Sequence, residues 1–205
     1  MFKKFIILLA LLGQASLAKS QEADRDDMVS FLREYLQVKY KEVNFDTFIY
    51  VAAKSQKLYV VEGGKILKTY LISASKKGIG YASGSFQTPD GLHLIAEKVG
   101  AGFPINTVIK HKVPTGTEWA PIQEALATNK DIITSRILHL RGLEPNKNSG
   151  TGVDSYSRGI FIHGTHEEGL LGTPASKGCI RMSNAEVIDL FDRVEVDTFV
   201  IILNN

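Results

Sequence analysis

The chain has 205 residues, 22 acidic and 24 basic side chains, five histidines and one cysteine. That length suits one domain with a sizeable core, and the single cysteine excludes an internal disulfide, so the core must hold the fold alone. A formal net charge of +2 without a Lys/Arg-rich stripe argues against nucleic acid as a partner, which would be held through many phosphate contacts.

Lys3 and Lys4 are followed by an apolar run from Phe5 to Leu12 and then by Ser16-Leu17-Ala18, the small-x-small pattern of a secretory cleavage site. Residues 1 to 18 therefore read as a signal peptide. The apolar run is far shorter than the roughly 20 residues that span a bilayer, so the mature chain is expected not to be membrane-spanning. Removing that segment takes away two lysines and no acids, so its charges balance.

Residues 19 to 46 read as an N-terminal helical segment. From Asp26 to Lys41, Met28, Leu32, Tyr35, Leu36 and Lys39 recur at spacings of three and four, which predicts an amphipathic helix. The pattern then changes. Thr47 to Ala53, Lys57 to Glu62 and Lys65 to Ser73 are rich in β-branched and aromatic residues, and Gly63-Gly64 marks a hairpin turn. Further strands are expected over Gly91 to Glu97, Ile132 to Leu140, Gly159 to His163 and Thr198 to Leu203. Between Lys98 and Lys130, three glycines or prolines precede Pro114, Gly116 and Pro121, and the only tryptophan, Trp119, lies among them. So long a connection predicts a lid or a locally folded insertion. Ser183-Asn184-Ala185-Glu186 matches a capping box, with Val187, Ile188, Leu190 and Phe191 as the buried side of a short helix. Asp189 and Asp192 fall on its expected solvated face.

Cys179 lies just upstream of that helix, in Ser176-Lys177-Gly178-Cys179-Ile180-Arg181-Met182. Sixteen residues earlier, His163 closes the apolar run Ile160-Phe161-Ile162. A free thiol titrates near 8.5, but an adjacent imidazole or cation can make thiolate the main form, and His163, Lys177 and Arg181 are the groups in reach of that role. Gly178 leaves room for a substrate carbonyl, and the N–H groups of Gly178 and Cys179 are candidate donors to an oxyanion. Taken singly, each residue has a plain alternative. Cys179 would be a buried apolar filler, His163 a core histidine, Ser176 to Gly178 a polar turn and Arg181 a surface charge. The conjunction within about twenty residues points to chemistry. A metal site built on His163, His166 and Cys179 lacks a fourth ligand at a plausible spacing and any CxxC pair, so no metal is expected.

Ile162-His163-Gly164-Thr165, Leu171 to Ser176 and Gly178-Cys179-Ile180-Arg181-Met182 together resemble the active-site signature of bacterial L,D-transpeptidases of the YkuD-domain family. Thr88-Pro89-Asp90-Gly91 resembles that family's Thr-Pro-x-Gly turn. The resemblance covers residues 47 to 203 and implies a mainly β, sandwich-like catalytic domain with a few short helices. It implies secretion to the periplasm or cell wall and peptidoglycan stem peptides as partners, with no cofactor. Cys179 then resembles the acyl-accepting nucleophile, His163 its base, and the Gly164 carbonyl the group orienting the imidazole. Arg181 resembles the motif arginine, assigned to substrate carboxylate recognition or to bracing the cysteine loop. Ser176 and Gly178 belong to the oxyanion loop, and Lys177 to substrate binding. Two departures stand out. Lys177 occupies a position where many members carry histidine or serine, and Val196-Asp197-Thr198 replaces a glycine-containing turn before the last strand.

The implied reaction leaves a thioester on Cys179 that a second stem peptide, an envelope protein or water resolves. The competing readings are an L,D-carboxypeptidase using the same site, a sortase-like enzyme, which requires a longer His-to-Cys separation, and a non-catalytic wall-binding module.

Overall fold

The computed structural model describes residues 27–41, 44–128 and 130–205, so the expected signal segment lies outside them. The chain divides into two compact units. The smaller comprises the described residues up to Asp46 together with Val61–Leu67, and the larger Thr47–Val60 with Lys68–Asn205. In the smaller unit, residues 27–39 form helix α1. Its buried stripe is Val29, Leu32 and Leu36, at spacings of three and four. Lys39, expected on the apolar face, is exposed and lies over the rings of Tyr35 and Tyr40 at 5.5 and 5.0 Å.

The strands are β1 (Thr47–Ala52), β2 (Lys57–Glu62), β3 (Lys65–Leu71), β4 (Gly91–Val99), β5 (Thr107–Lys110), β6 (Val113–Glu118), β7 (Ile133–Gly142), β8 (Phe161–Thr165), β9 (Ile180–Met182) and β10 (Phe199–Leu203). Helix α2 (Asn184–Arg193) follows β9. The fold is mainly β, as the residue pattern and the resemblance both implied. All ten strands join one mixed sheet, ordered β3-β2-β1-β10-β4-β7-β5-β6, with β8 branching from β7 and β9 pairing with β8. The last strand returns parallel to the first, Phe48 opposite Phe199 and Val51 opposite Ile202. One continuous apolar cluster in the larger unit takes Ile49, Leu58, Leu138, Ile162, Ile180 and Val187, so strands from both branches share a core. Among the described residues no helix is long and apolar enough to cross a membrane.

β7 is the strand that alternation describes worst. Its sequence ITSRILHLRG is polar at four of the positions that are buried, because β4, β5 and β8 all pair with it. Most of their buried polar atoms find hydrogen-bond partners, Arg136 Nε and His139 Nδ1 being the exceptions among the described residues. Thr134 and Ser135 hydroxyls donate to Asn184 Oδ1 at 2.7 and 2.6 Å, and Arg136 Nη1 donates to the Phe103 carbonyl at 2.9 Å. These bonds tie the start of α2 to the strand that carries β8.

α2 begins as the capping box predicts. Ser183 Oγ accepts from the Glu186 N–H at 3.3 Å, and Val187, Leu190 and Phe191 are buried. Asp189 departs from the expected solvated face: Tyr70 Oη donates to it at 2.7 Å and Arg193 Nε at 2.8 Å. The stretch expected to form a lid or a locally folded insertion contains the β5–β6 hairpin, of which β5 pairs with β7. In the turn before β10, Asp197 adopts φ +68°, a left-handed conformation that aspartate tolerates better than most side chains. The turn thus takes a left-handed residue without a glycine.

Candidate active site

β8 and β9 run parallel, His163 opposite Arg181 and Gly164 opposite Met182. Cys179 ends the turn leading into β9, so this pairing lays it beside the start of β8. The contact is direct: the Phe161 N–H donates to Cys179 Sγ at 3.4 Å and the thiol donates to the Gly159 carbonyl at 3.3 Å. The short parallel ladder thus brings Phe161 to Cys179 although eighteen positions separate them.

His163 is buried, and its Nδ1 is hydrogen-bonded to the Gly164 carbonyl at 2.8 Å. A carbonyl only accepts, so the neutral ring carries its proton on Nδ1 and presents Nε2 as a base. Gly164 must be glycine for a steric reason, since a Cβ there would come 2.5 Å from the Thr134 carbonyl on β7. Burial pushes the imidazole down to about 4, the Asp131 charge and the Gly164 carbonyl opposing the shift and Arg181 adding to it.

Burial likewise pushes the Cys179 thiol up to about 12, with the Phe161 N–H, Arg181 and Arg158 pulling the other way. Both shifts favour the neutral form, of the thiol and of the imidazole. Arg181 and Arg158 favour the thiolate, but for this partly exposed residue loss of water around the sulfur still outweighs them.

The Ser176–Cys179 turn is pinned from three sides. Ser176 Oγ donates to the Cys179 carbonyl at 2.5 Å and accepts from the Gly178 N–H at 3.2 Å. Gly178 has φ +126°, a conformation that side chains avoid. Thr88 Oγ1 donates to the Gly178 carbonyl at 2.9 Å and accepts from the Ser75 N–H at 3.1 Å. Of the two expected oxyanion donors, the Gly178 N–H is thus engaged inside the turn. Lys177 is exposed.

Arg181 is buried and faces two carboxylates, Glu167 Oε2 at 2.7 Å and Asp131, which its Nε reaches at 3.0 Å. Thr128 Oγ1 donates to the other Glu167 oxygen at 2.7 Å and bonds His166 Nε2 at 3.0 Å. Burial pushes the Glu167 carboxyl up, but the Thr128 bonds and Arg181 outweigh it and hold the group below its usual value. The same stretch adds backbone bonds, Ile122 N–H to the His166 carbonyl at 2.7 Å and Gly169 N–H to the Ile122 carbonyl at 2.9 Å. The insertion is in this way fastened to the segment after β8.

Thr88, Thr128, Asp131, Glu167 and Arg158 escaped the sequence reading as site residues. Thr88 had a signal, its place in Thr-Pro-x-Gly. Asp131 and Glu167 had none, since what joins them is Arg181, 50 and 14 residues away. Arg158 fans its guanidinium onto the Tyr81 and Gln87 carbonyls at 2.8 and 2.7 Å, and its charge is felt at Cys179. Among the described residues no group of three or more His, Cys, Asp or Glu side chains is placed to hold a metal ion.

Fold and site together define a mainly β protein with a histidine on one strand of a parallel pair and a cysteine directly before the other. The chain belongs to the L,D-transpeptidase catalytic domain family, YkuD, whose profile it matches over residues 46–202. That family acts on peptidoglycan and is usually associated with the cell wall. A 44-residue stretch is 48% identical to the protein named "Putative L,D-transpeptidase YqjB" of Bacillus subtilis (strain 168), covering 22% of this chain and 25% of that protein. Among solved structures, an L,D-transpeptidase from Mycobacterium smegmatis is similar at 16% identity and TM-score 0.47, over 77% of this chain and 58% of that one. One from Xylanimonas cellulosilytica DSM 15894 is similar at 19% identity and TM-score 0.49, over 83% and 68%. The chain thus spans a quarter of the curated relative and less than two thirds of the Mycobacterium protein.

Proposed function

We propose that the protein is a cysteine-dependent peptidoglycan L,D-transpeptidase with Cys179 as nucleophile and His163 as base. The observation that carries this is the β8–β9 ladder, which sets the thiol beside a strand whose histidine has its tautomer chosen by the Gly164 carbonyl. The neutral pair is matched to a reaction in which the thiol loses its proton only as it attacks. The sulfur leaves the Gly159 carbonyl, His163 Nε2 takes the proton, and the thiolate adds to the carbonyl joining stem residues three and four. Apo hydrogen bonds of catalytic groups are commonly loose and tighten with substrate.

The Cys179 N–H serves as oxyanion donor, because the Gly178 N–H is held by Ser176. The imidazolium then gives its proton to the departing D-amino acid, leaving a thioester on Cys179. An amine of a second stem peptide or of an envelope protein attacks the thioester, His163 takes the amine proton, and the new amide forms as the thiol is released. Arg181, engaged by Asp131 and Glu167, acts on this reading as a brace for β9 and not as a free carboxylate receptor. The reading also carries secretion to the periplasm or cell wall, with residues 1 to 18 as signal peptide and 47 to 203 as catalytic domain.

Incubating the purified protein with a disaccharide tetrapeptide, with Cys179→Ala alongside, tests this by mass spectrometry. A crosslinked dimer lacking one D-alanine, absent with the variant, is the expected product. Free tripeptide in its place would make the protein an L,D-carboxypeptidase. No product from either protein would sink acyl transfer to stem peptides.

A further inference from the structure

The turn that carries Cys179 is flanked by three lysines from two separate segments. Residues 74–76 run alongside residues 174–176: the Ala175 and Ser176 N–H groups donate to the Ala74 carbonyl at 3.0 Å each, and the Lys76 N–H donates to the Ser176 carbonyl at 3.2 Å. Ser75 Oγ accepts from the Lys77 N–H at 2.9 Å and donates to the Phe86 carbonyl at 2.6 Å. These bonds place Lys76 and Lys77 on the same rim as Lys177, two residues from the nucleophile. All three side chains are exposed.

Two adjacent cavities open on this rim. One, of about 250 Å³, is lined by Lys76, Lys77, Lys177, Ser176 and Phe86. The other, of about 260 Å³, shares Lys76 and Lys177 and reaches Arg181 and Pro174. Asp131 and Glu167 also line the second cavity, but both are bound to Arg181. Among the described residues none of the three lysines forms an ion pair. Lys77 Nζ lies over the Phe86 ring at 5.0 Å instead. Phe86 is itself 51% exposed and held at φ +60°, a conformation a bulky side chain adopts only under constraint. Three like charges gathered without a counter-ion repel one another, and an anion entering between them relieves that repulsion. An exposed aromatic wall beside them supplies apolar contact for the rest of a ligand.

We infer that Lys76, Lys77 and Lys177, walled by Phe86, form a recognition rim for a carboxylate of the acyl donor. The inference rests on the acyl-transfer reading for the identity of that donor. A stem tetrapeptide offers a carboxylate on the departing D-residue and, where the third residue is a diamino diacid, another on its side chain. Lysine suits such a task, being a flexible, strongly hydrated point charge that exchanges water for a ligand oxygen.

Binding is measured by calorimetry on the Cys179→Ala protein, which retains the rim, using the tetrapeptide and two forms amidated at one carboxylate or the other. Lys76→Met, Lys77→Met and Lys177→Met are each expected to weaken binding about two- to fivefold. The loss is expected to disappear with one amidated peptide, which identifies the carboxylate, and Lys→Arg variants should keep most of the affinity. Raising salt from 50 to 500 mM should weaken binding of the parent more than of the triple variant. Equal affinity of the triple Lys→Met variant and the parent for all three peptides overturns the inference, as does absence of measurable binding by the parent. Turnover by the cysteine-containing protein separates the two readings. Lysine-independent binding with turnover removes the rim and keeps acyl transfer, whereas lysine-dependent binding without turnover keeps the rim and removes acyl transfer.

Discussion

His93 on β4 and His163 on β8 are both fully buried, and burial pushes both imidazoles down to about 4. By that measure they are the same. Their ring nitrogens differ. His93 bonds the Gly91 carbonyl through Nδ1 and Ser155 Oγ through Nε2, both at 3.0 Å, so its polar capacity is used up inside the sheet. His163 bonds the Gly164 carbonyl through Nδ1, and among the described residues no hydrogen bond engages its Nε2. A depressed pKa reports burial alone, whereas an uncommitted nitrogen on the strand that meets the cysteine turn is what a group kept for chemistry requires.

The sharpest way to break the comparison is to remove each histidine. His163→Gln should lower kcat by about 10²–10⁴-fold, the usual worth of a positioned base, with little change in thermal midpoint. His93→Gln should leave the rate per folded molecule unchanged and cost about 1–3 kcal/mol by stranding Ser155 and the Gly91 carbonyl. Parallel kinetics and denaturant melts decide it, and a rate loss for His93→Gln equal to that for His163→Gln would dissolve the distinction.

Arg181 offers the next largest effect. Arg181→Met leaves Asp131 and Glu167 facing each other without their cation, and breaking a buried pair in this way costs about 3–5 kcal/mol. Denaturant midpoints should fall accordingly, and replacing all three residues with apolar ones should recover much of the loss. A neutral effect of Arg181→Met would remove the bracing role.

The shared feature of the two histidines predicts a pH dependence. Unfolded histidine titrates near 6.5 and both folded imidazoles near 4, so between those values the unfolded chain binds protons that the folded chain does not. Stability should therefore fall as pH drops from about 6.5 to about 4, by about 1.4 kcal/mol per pH unit for each imidazole, and the two contributions level off below that window. His93→Gln should remove one of them and make the slope shallower. The thiol gives a companion readout: with Cys179 pushed up to about 12, alkylation by iodoacetamide should climb steadily from pH 6 to 10. A plateau below pH 7 would mean a resting thiolate.

Smallest is the turn. Thr88→Val removes both the bond to the Gly178 carbonyl and the one from the Ser75 N–H and should cost about 2 kcal/mol while lowering turnover by a larger factor than stability, since it loosens the nucleophile's loop. Equal activity would show that Ser176 alone sets the turn.

The chain by itself determined what local chemistry determines. β-branched and aromatic runs marked most strands, Ser183 and Glu186 marked the start of α2, and a lone cysteine after Ser-Lys-Gly, sixteen residues past His163, pointed to the candidate site. β9 was not legible as a strand, because three residues carry no period and only pairing with β8 extends them. Tertiary structure alone decided which charges meet. Arg181 reads as a surface or substrate-binding group until Asp131 and Glu167 arrive from opposite sides, and Lys76 and Lys77 mean nothing until residues 74–76 run beside the cysteine turn. It also decided the direction in which the thiol is shifted. The cations near Cys179 favour thiolate, but desolvation depends on how completely the chain closes over the sulfur, a property of packing that no spacing along the sequence encodes.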